Sequence, residues 1–184
     1  MPRFFSSLYK AALETFVIST ISLTIRSRDF NTGETTQFWD DFYSNREKGI
    51  PFFANKPDEN LVKYFEGKLL NPGKVLELGC GPGRNAIYFA KKGCLVDAVD
   101  LSQESIQWAT ERAKEQNVNV NFICDNIFDL QIEEGAYDIV YDSGCLHHIA
   151  PHRRISYINL VKKALKPNGH FAITYIMKKF TGKK

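Results

Sequence analysis

The sequence predicts an open α/β fold, one parallel sheet with helices on both faces. Three observations carry that expectation. An apolar, β-prone run, Val75-Leu76-Glu77-Leu78, passes directly into the glycine-rich turn Gly79-Cys80-Gly81-Pro82-Gly83, and a helical pattern begins at Arg84. Between residues 74 and 176, short β-prone runs alternate with helical ones, the pattern of parallel strands joined by right-handed crossovers. Three of the runs end in an acid, Asp100, Asp125 or Asp142, which sets carboxylates along the edge where such sheets bind ligands.

The elements follow in order. Thr36 is the expected cap of a short helix through Gln37-Phe38-Trp39-Asp40-Asp41-Phe42-Tyr43. The aromatic-rich loop from Arg46 to Phe53 either roofs the core or, with that helix, forms a lid whose ligand-facing residues are Trp39, Tyr43, Phe52 and Phe53. Pro57-Asp58-Glu59-Asn60 opens a helix through Leu61, Val62, Tyr64 and Phe65. Lys74 to Leu78 is the first strand, and Arg84 to Lys92 is a helix closed by Gly93. Leu95 to Val99 is the second strand, ending at Asp100. Ser102 caps a helix with Ile106, Ala109 and Ala113 on one face. Val120 to Cys124 is the third strand, ending at Asp125-Asn126, and Tyr137 to Asp142 is the fourth. Pro151 starts a helix bearing Ile155, Ile158, Val161 and Leu165; Pro167-Asn168-Gly169 ends it, and His170 to Ile176 is the fifth strand.

Composition narrows the function. A chain of 184 residues, 43% hydrophobic, is one domain with a sizeable core. Its 24 basic and 21 acidic residues give a net charge of +3, too balanced to point to a nucleic-acid partner. The four cysteines, Cys80, Cys94, Cys124 and Cys145, form no C-x-x-C pair and read as small buried thiols of a reducing, cytoplasmic environment. His147, His148 and His152 cluster without a carboxylate or thiol spaced to complete a metal site, so no metal is expected. Phe16 to Ile25 is apolar but shorter than the roughly 20 residues of a bilayer span. Glu14 and several hydroxyl residues dilute a signal-peptide reading of that run. Residues 1–35 are expected to be an N-terminal extension packing on the domain.

Glycines without Cβ take positive φ and lie close against a ligand, while amides at the start of the next helix face it. The spacing here is G-x-G-x-G with Glu77 two residues before it, whereas a dinucleotide fingerprint reads G-x-G-x-x-G. The stretch from Glu77 to Gly83 resembles motif I of the class I S-adenosylmethionine (SAM)-dependent methyltransferases. Asp125-Asn126 resembles their motif III, Asp142-Ser143-Gly144-Cys145 their motif IV, and Leu165-Lys166-Pro167-Asn168-Gly169 their turn before strand 5. The likeness covers residues 72–176, and more weakly 36–66. There Phe38-Trp39-Asp40, Tyr43 and Pro51 are similar to the entry segment of small-molecule methyltransferases related to thiopurine and tellurite-resistance enzymes.

The resemblance implies a Rossmann-like sheet in the order 3-2-1-4-5, a methyltransferase domain over 36–184 with a helical lid (36–70) and core (72–177), and SAM as cofactor. It places Glu77, Gly79, Cys80, Gly81, Gly83 and Asn85 around the cofactor's amino acid and ribose. It places Asp100 and Leu101 at the ribose hydroxyls, and Asp125, Asn126 and Ile127 at the adenine. Asp142 and Ser143 complete the crevice. Each acid also has a plainer use: Asp100 as a cap at Ser102, Asp125-Asn126 as a turn. Candidate bases are Asp142 and His148, with His147 beside them. Asp142 could instead bond the cofactor's ammonium, and the histidines could simply cap the next helix.

The motif IV residues lack the Asn/Asp-Pro-Pro-aromatic run of adenine-amino enzymes, and no Pro-Cys occurs, so a small-molecule acceptor leads over RNA or protein. The family's antiparallel hairpin after strand 5 has no counterpart before Lys184. The expectation is a truncated chain whose strand 5 keeps an unpaired edge, open to self-association or to Phe16–Ile25. The remaining alternatives are a non-catalytic SAM-binding protein and an NAD(P) oxidoreductase, the latter disfavoured by the glycine spacing.

Overall fold

A computed structural model describes residues 32–174. In chain order the elements are α1 (Thr32–Ser44), α2 (Glu59–Glu66), β1 (Lys74–Leu78), α3 (Arg84–Lys91), β2 (Leu95–Asp100), α4 (Gln103–Glu115), β3 (Asn121–Cys124), β4 (Tyr137–Ser143), α5 (Arg154–Ala164) and β5 (Leu165–Thr174). Short 3-10 turns lie at Pro51–Phe53, Leu146–His148 and Pro151–Arg153. The five strands are all parallel, in the order β3-β2-β1-β4-β5. This is the predicted sheet.

Each strand of a doubly covered sheet alternates between two apolar layers. On one face Val75, Val96, Ala98, Ile139 and Tyr141 pack with Leu61 of α2, Ala86 and Phe89 of α3 and Ile106 of α4. On the other, Leu76, Leu78, Val99 and Val140 pack with Tyr157, Val161 and Ala164 of α5. The register sets Leu78 opposite both Val99 and Asp142, and Asp100 opposite Cys124. The carboxyl ends of four strands therefore finish level, and the connecting segments after them share one edge.

Several local expectations are corrected. Thr36 does not cap α1, which starts a full turn earlier at Thr32. Ile155 is 68% exposed, so the apolar stripe of α5 begins later, at Tyr157 and Val161. Cys124 is exposed, because the end of β3 lies at the sheet margin. Pro167-Asn168-Gly169 lies inside β5, not at the end of α5: Leu165 is already extended, with ψ 136°. Pro167 disfavours helix at the residue before it. Asn168 takes φ +66°, and the β4–β5 register shifts between Tyr137 and Ile139. Among the described residues β5 pairs with β4 alone. Phe16–Ile25 and the end of the fifth strand as expected, at Ile176, lie outside the described residues.

Candidate active site

The turn after β1 is built on three left-handed glycines, Gly79 (φ +68°), Gly81 (φ +50°) and Gly83 (φ +75°). A Cβ on Gly79 would meet Cys145 Cβ at 2.8 Å, one on Gly81 the Tyr43 hydroxyl at 3.0 Å, and one on Gly83 Ala109 Cβ at 2.8 Å. The turn is thus hemmed by the segment after β4, the lid helix and α4. Its backbone is pinned by Cys80 N donating to Val99 O (2.9 Å), Gly83 N to Cys80 O (3.1 Å) and Gly81 N to Asp100 Oδ2 (2.8 Å).

Asp100 is 8% exposed and also accepts from Ser102 N through Oδ1 (3.0 Å). Burial pushes its pKa above the ordinary carboxylate range, against the pull of those amides. Each oxygen accepts one short amide hydrogen bond, with the Ser105 side chain and Leu101 N also bearing on the carboxylate. Ser102 caps α4 as expected, accepting from Ser105 N (3.2 Å). Asp40 of the lid helix joins that cap, taking the Ser102 hydroxyl (2.6 Å) and Glu104 N (3.3 Å).

At the end of β3, Asp125 N donates to Asp100 O (3.0 Å), so the two acids are adjacent. Asp125 is exposed; its carboxylate accepts from Asn126 N (2.7 Å), and Asn126 Oδ1 accepts from Phe128 N (3.1 Å). The pair forms the turn, and the outer face of Asp125 stays open. Ile127 is buried behind it, and Leu101 O accepts from the Cys124 thiol (3.7 Å).

Asp142 is fully buried and saturated. Oδ1 accepts from Gly144 N (2.8 Å) and Cys145 N (2.7 Å), and Oδ2 from Leu146 N (2.9 Å) and the Tyr157 hydroxyl (2.5 Å). Asp142, expected as a base or a cofactor contact, spends three of its acceptor positions on the amides of the segment after β4 and one on Tyr157 of α5.

Beneath the turn runs a polar chain. Asn85 Nδ2 donates to Glu77 Oε1 (3.2 Å), and Asn85 Oδ1 accepts from Asp58 N (2.8 Å). Asp58 accepts from the Ser143 hydroxyl (3.3 Å), which in turn accepts from Arg84 Nη2 (3.3 Å). Glu77 is 1% exposed, and its Oε2 is the buried side-chain atom without a partner among the described residues. Burial raises its pKa to about 8, opposed mainly by the Asn85 hydrogen bond.

The lid contributes two rows of stacked rings. Trp39, Tyr43 and Phe53 form the inner row, at 6.0 and 5.7 Å between centroids, and Phe38, Phe42 and Phe52 the outer row, at 6.4 and 6.2 Å. The rows meet edge to face at Phe38–Trp39, Phe42–Tyr43 and Phe52–Phe53. The inner row reaches His148 through Trp39 (4.8 Å, perpendicular) and Trp108 through Phe53 (5.1 Å, perpendicular). His147 and His148 lie on the 3-10 turn after β4, and packing of neighbouring groups lowers both pKa values below the ordinary imidazole range. Of the predicted lid residues, Tyr43 and Phe53 are buried, Trp39 is half-buried and Phe52 is at the surface.

The structure thus brings the predicted turn, Asp100, Leu101, Asp125, Asn126, Ser143 and the histidines to one edge, and sets Glu77 and Asn85 under it. Tyr43, expected in the lid, sets its hydroxyl against the glycine turn at Gly81. Asp40, Asp58 and Arg84 were not foreseen as site residues. Their partners lie far away in sequence, and only the cap position of Asp58 left a local signal.

A methyltransferase domain family profile matches residues 75–169, a span from β1 into β5. The chain belongs to the class I SAM-dependent methyltransferases. It is 28% identical over 162 residues to a ubiquinone biosynthesis O-methyltransferase of Coxiella burnetii, covering 86% of this chain and 68% of that one. An uncharacterized methyltransferase of Synechocystis is 34% identical over 66% of this chain and 52% of its own. The solved structure of the 1,6-didemethyltoxoflavin-N1-methyltransferase of Burkholderia thailandensis, with bound 1,6-didemethyltoxoflavin and S-adenosylhomocysteine, superposes with a TM-score of 0.63 at 27% identity. That match covers 82% of this chain and 66% of that one. The chain therefore spans between about half and two thirds of these relatives' lengths. Among the described residues no helix is long and apolar enough to cross a membrane, and no cluster of His, Cys, Asp and Glu could hold a metal ion.

Proposed function

We propose that this methyltransferase binds SAM across the glycine turn and transfers its methyl group to a small-molecule acceptor under the aromatic lid. The observation that carries the reading is the meeting of Gly81, Asp100 and Asp125 at the end of the sheet, under a lid that reaches the same turn through Tyr43. The residues present fit the cofactor. Gly81 sits at positive φ with its Cβ position against the Tyr43 hydroxyl, and among the described residues Glu77 Oε2 is a buried oxygen without a partner. When bound, SAM supplies an electrophilic methyl group on a sulfonium.

The chain's own residues then have separable tasks. Asp100 accepts from the ribose hydroxyls, and Asp125 faces the adenine. Glu77, Asn85 and Ser143 line the amino-acid end. Tyr43 closes over Gly81 and, with the inner aromatic row, keeps water from the transfer path. Alignment of two reactants in such a pocket is worth about 7–11 kcal/mol. His148, held neutral at physiological pH and set against Trp39, accepts the acceptor's proton where that acceptor is a weak acid. The lid spans 36–70 and the core 72–177. The edge of β5 that is unpaired among the described residues is the surface through which two copies would associate.

Calorimetry with S-adenosylhomocysteine on the folded protein tests the reading. Micromolar binding is expected, lost in Asp100→Ala; no binding by the folded wild type overturns it. His148→Ala should keep that affinity and lose about 10²–10⁴-fold in turnover of a hydroxyl acceptor.

A further inference from the structure

Arg112 stands outside every motif, yet it joins the two halves of the site. It lies on α4, 9% exposed. Among the described residues it meets no carboxylate within ion-pair distance. One Nη donates to Pro82 O in the glycine turn (3.3 Å), and the other to Phe53 O in the lid (2.5 Å). The guanidinium stacks on Trp108 at 4.1 Å, and Trp108 in turn packs on the Phe53 ring. Arg46, paired with Glu111, also lies over that indole at 5.2 Å.

A buried cation with no carboxylate in ion-pair contact is costly, and burial lowers the Arg112 pKa, opposed by the charge of Glu115. Packing alone would be served by an apolar residue. What the guanidinium adds is a rigid fork, which a lysine ammonium lacks. Its two prongs end on backbone carbonyls of two segments that α2 and β1 separate along the chain.

We infer that Arg112 is a positioning residue, a latch that couples closure of the lid segment 46–56 to occupation of the glycine turn. This rests on the proposed cofactor site, but the latch itself is present in the free protein. A carbonyl shift at Pro82 is passed through the fork to Phe53 and hence to Tyr43, which stacks on Phe53 and touches Gly81.

The test is amide hydrogen exchange on the wild type and Arg112→Lys, with and without S-adenosylhomocysteine, alongside calorimetry and urea unfolding. In the free wild type, amides of 50–56 and 80–83 are expected to open with one shared free energy, a result that needs no variant. In Arg112→Lys, exchange of 50–56 rises about ten-fold in the free protein, the size of an ordinary coupling between sites. S-adenosylhomocysteine then protects 79–85 but no longer 50–56, and its Kd rises by about the same factor. Unequal opening of the two segments in the wild type overturns the latch. So does unchanged lid protection in the variant, or exchange rising uniformly with global unfolding. Absence of S-adenosylhomocysteine binding by the wild type would sink the cofactor reading, while the free-protein exchange would still decide the latch.

Discussion

β2 and β4 each carry a carboxylate near both ends, and the two ends use them differently. At the amino ends the acids meet side chains and cations. Asp97 accepts from the Tyr137 hydroxyl (2.9 Å) and Asn121 Nδ2 (2.7 Å) with Lys74 nearby, and Asp138 takes Lys166 Nζ (2.9 Å). At the carboxyl ends Asp100 and Asp142 hold mainly loop amides, and neither forms an ion pair among the described residues. An acid paired with a lysine ties one strand to another; an acid paired with amides dictates the shape of a loop. It also leaves its charge uncompensated, which favours a cationic ligand such as a sulfonium. A cleft of about 490 Å³ does open at the amino ends, between Lys74, Cys94, Leu95, Asp97, Asn117 and Asn121. Asp97, its one acid, is already satisfied from both sides, so that cleft offers a ligand little.

The largest expected effect breaks the comparison on β4. Asp142→Ala strands the Leu146 amide and the Tyr157 hydroxyl, both buried, and the half-buried amides of Gly144 and Cys145 at once. Unsatisfied buried donors cost about 1–3 kcal/mol each, with partial relaxation, so about 3–5 kcal/mol of stability should be lost. Urea unfolding measures it. A loss under about 1 kcal/mol, the typical effect of an ordinary substitution, would show that the segment after β4 keeps its shape without the acid.

The second contrast runs along α3, which is entered from Gly83 and left at Gly93, both at positive φ. Gly83→Ala would press its Cβ against Ala109 at 2.8 Å and the Phe122 ring at 3.1 Å, whereas nothing lies within 4 Å of a Cβ at Gly93. Gly93→Ala should therefore cost only the left-handed strain, about 1–2 kcal/mol. Gly83→Ala should cost about 2–4 kcal/mol, adding overpacking to that strain, and should weaken S-adenosylhomocysteine binding. Thermal unfolding and calorimetry of the two alanine variants check both.

The same contrast explains what the sequence made legible. Strand β1, the Ser102 cap and the glycine turn are local: period, cap chemistry and spacing lie within a few residues, so their bounds follow from the chain alone. The strand-end acids were legible as positions but not as roles. Whether a carboxylate faces a ligand or its own loop depends on amides several residues on, as Asp142 shows. Asp40, Arg84 and Arg112 were invisible because each acts on a segment distant in sequence. The start of β5 was misplaced because Pro-Asn-Gly signals a turn, and here the turn residues form the irregular first half of a strand.

A third prediction concerns pH. The Glu77 carboxyl, raised to about 8 by burial, binds a proton in the folded protein that the unfolded chain releases near pH 4.5. Its contribution to stability is therefore whole below about pH 4.5 and lost as pH rises through about 8. Glu77→Gln keeps the shape and removes the titration. The unfolding free energy of the wild type from urea titrations should fall relative to that variant between pH 5 and 8.5, by about 1–3 kcal/mol in all. Parallel midpoints across that range would mean that Oε2 finds a partner in solution and Glu77 stays ionised.

The smallest effect belongs to the amino end of β4. The Lys166 ammonium and Lys74 N hold the Asp138 carboxyl below its usual range, so its contribution is present at neutral pH and lost as pH falls through that lowered value. The ion pair is open to solvent, with side chains 43% and 41% exposed, and water and salt screen most of its attraction. Asp138→Asn keeps an oxygen for Lys74 N and removes only the charge. It should cost at most about 0.5–1 kcal/mol at pH 7, less in 0.5 M salt, and leave S-adenosylhomocysteine affinity untouched. A loss as large as that of Asp142→Ala, or any change in that affinity, would mean that the two ends of β4 are not independent. The division of labour between strand-tying and loop-shaping acids would then fail on the strand where it is clearest.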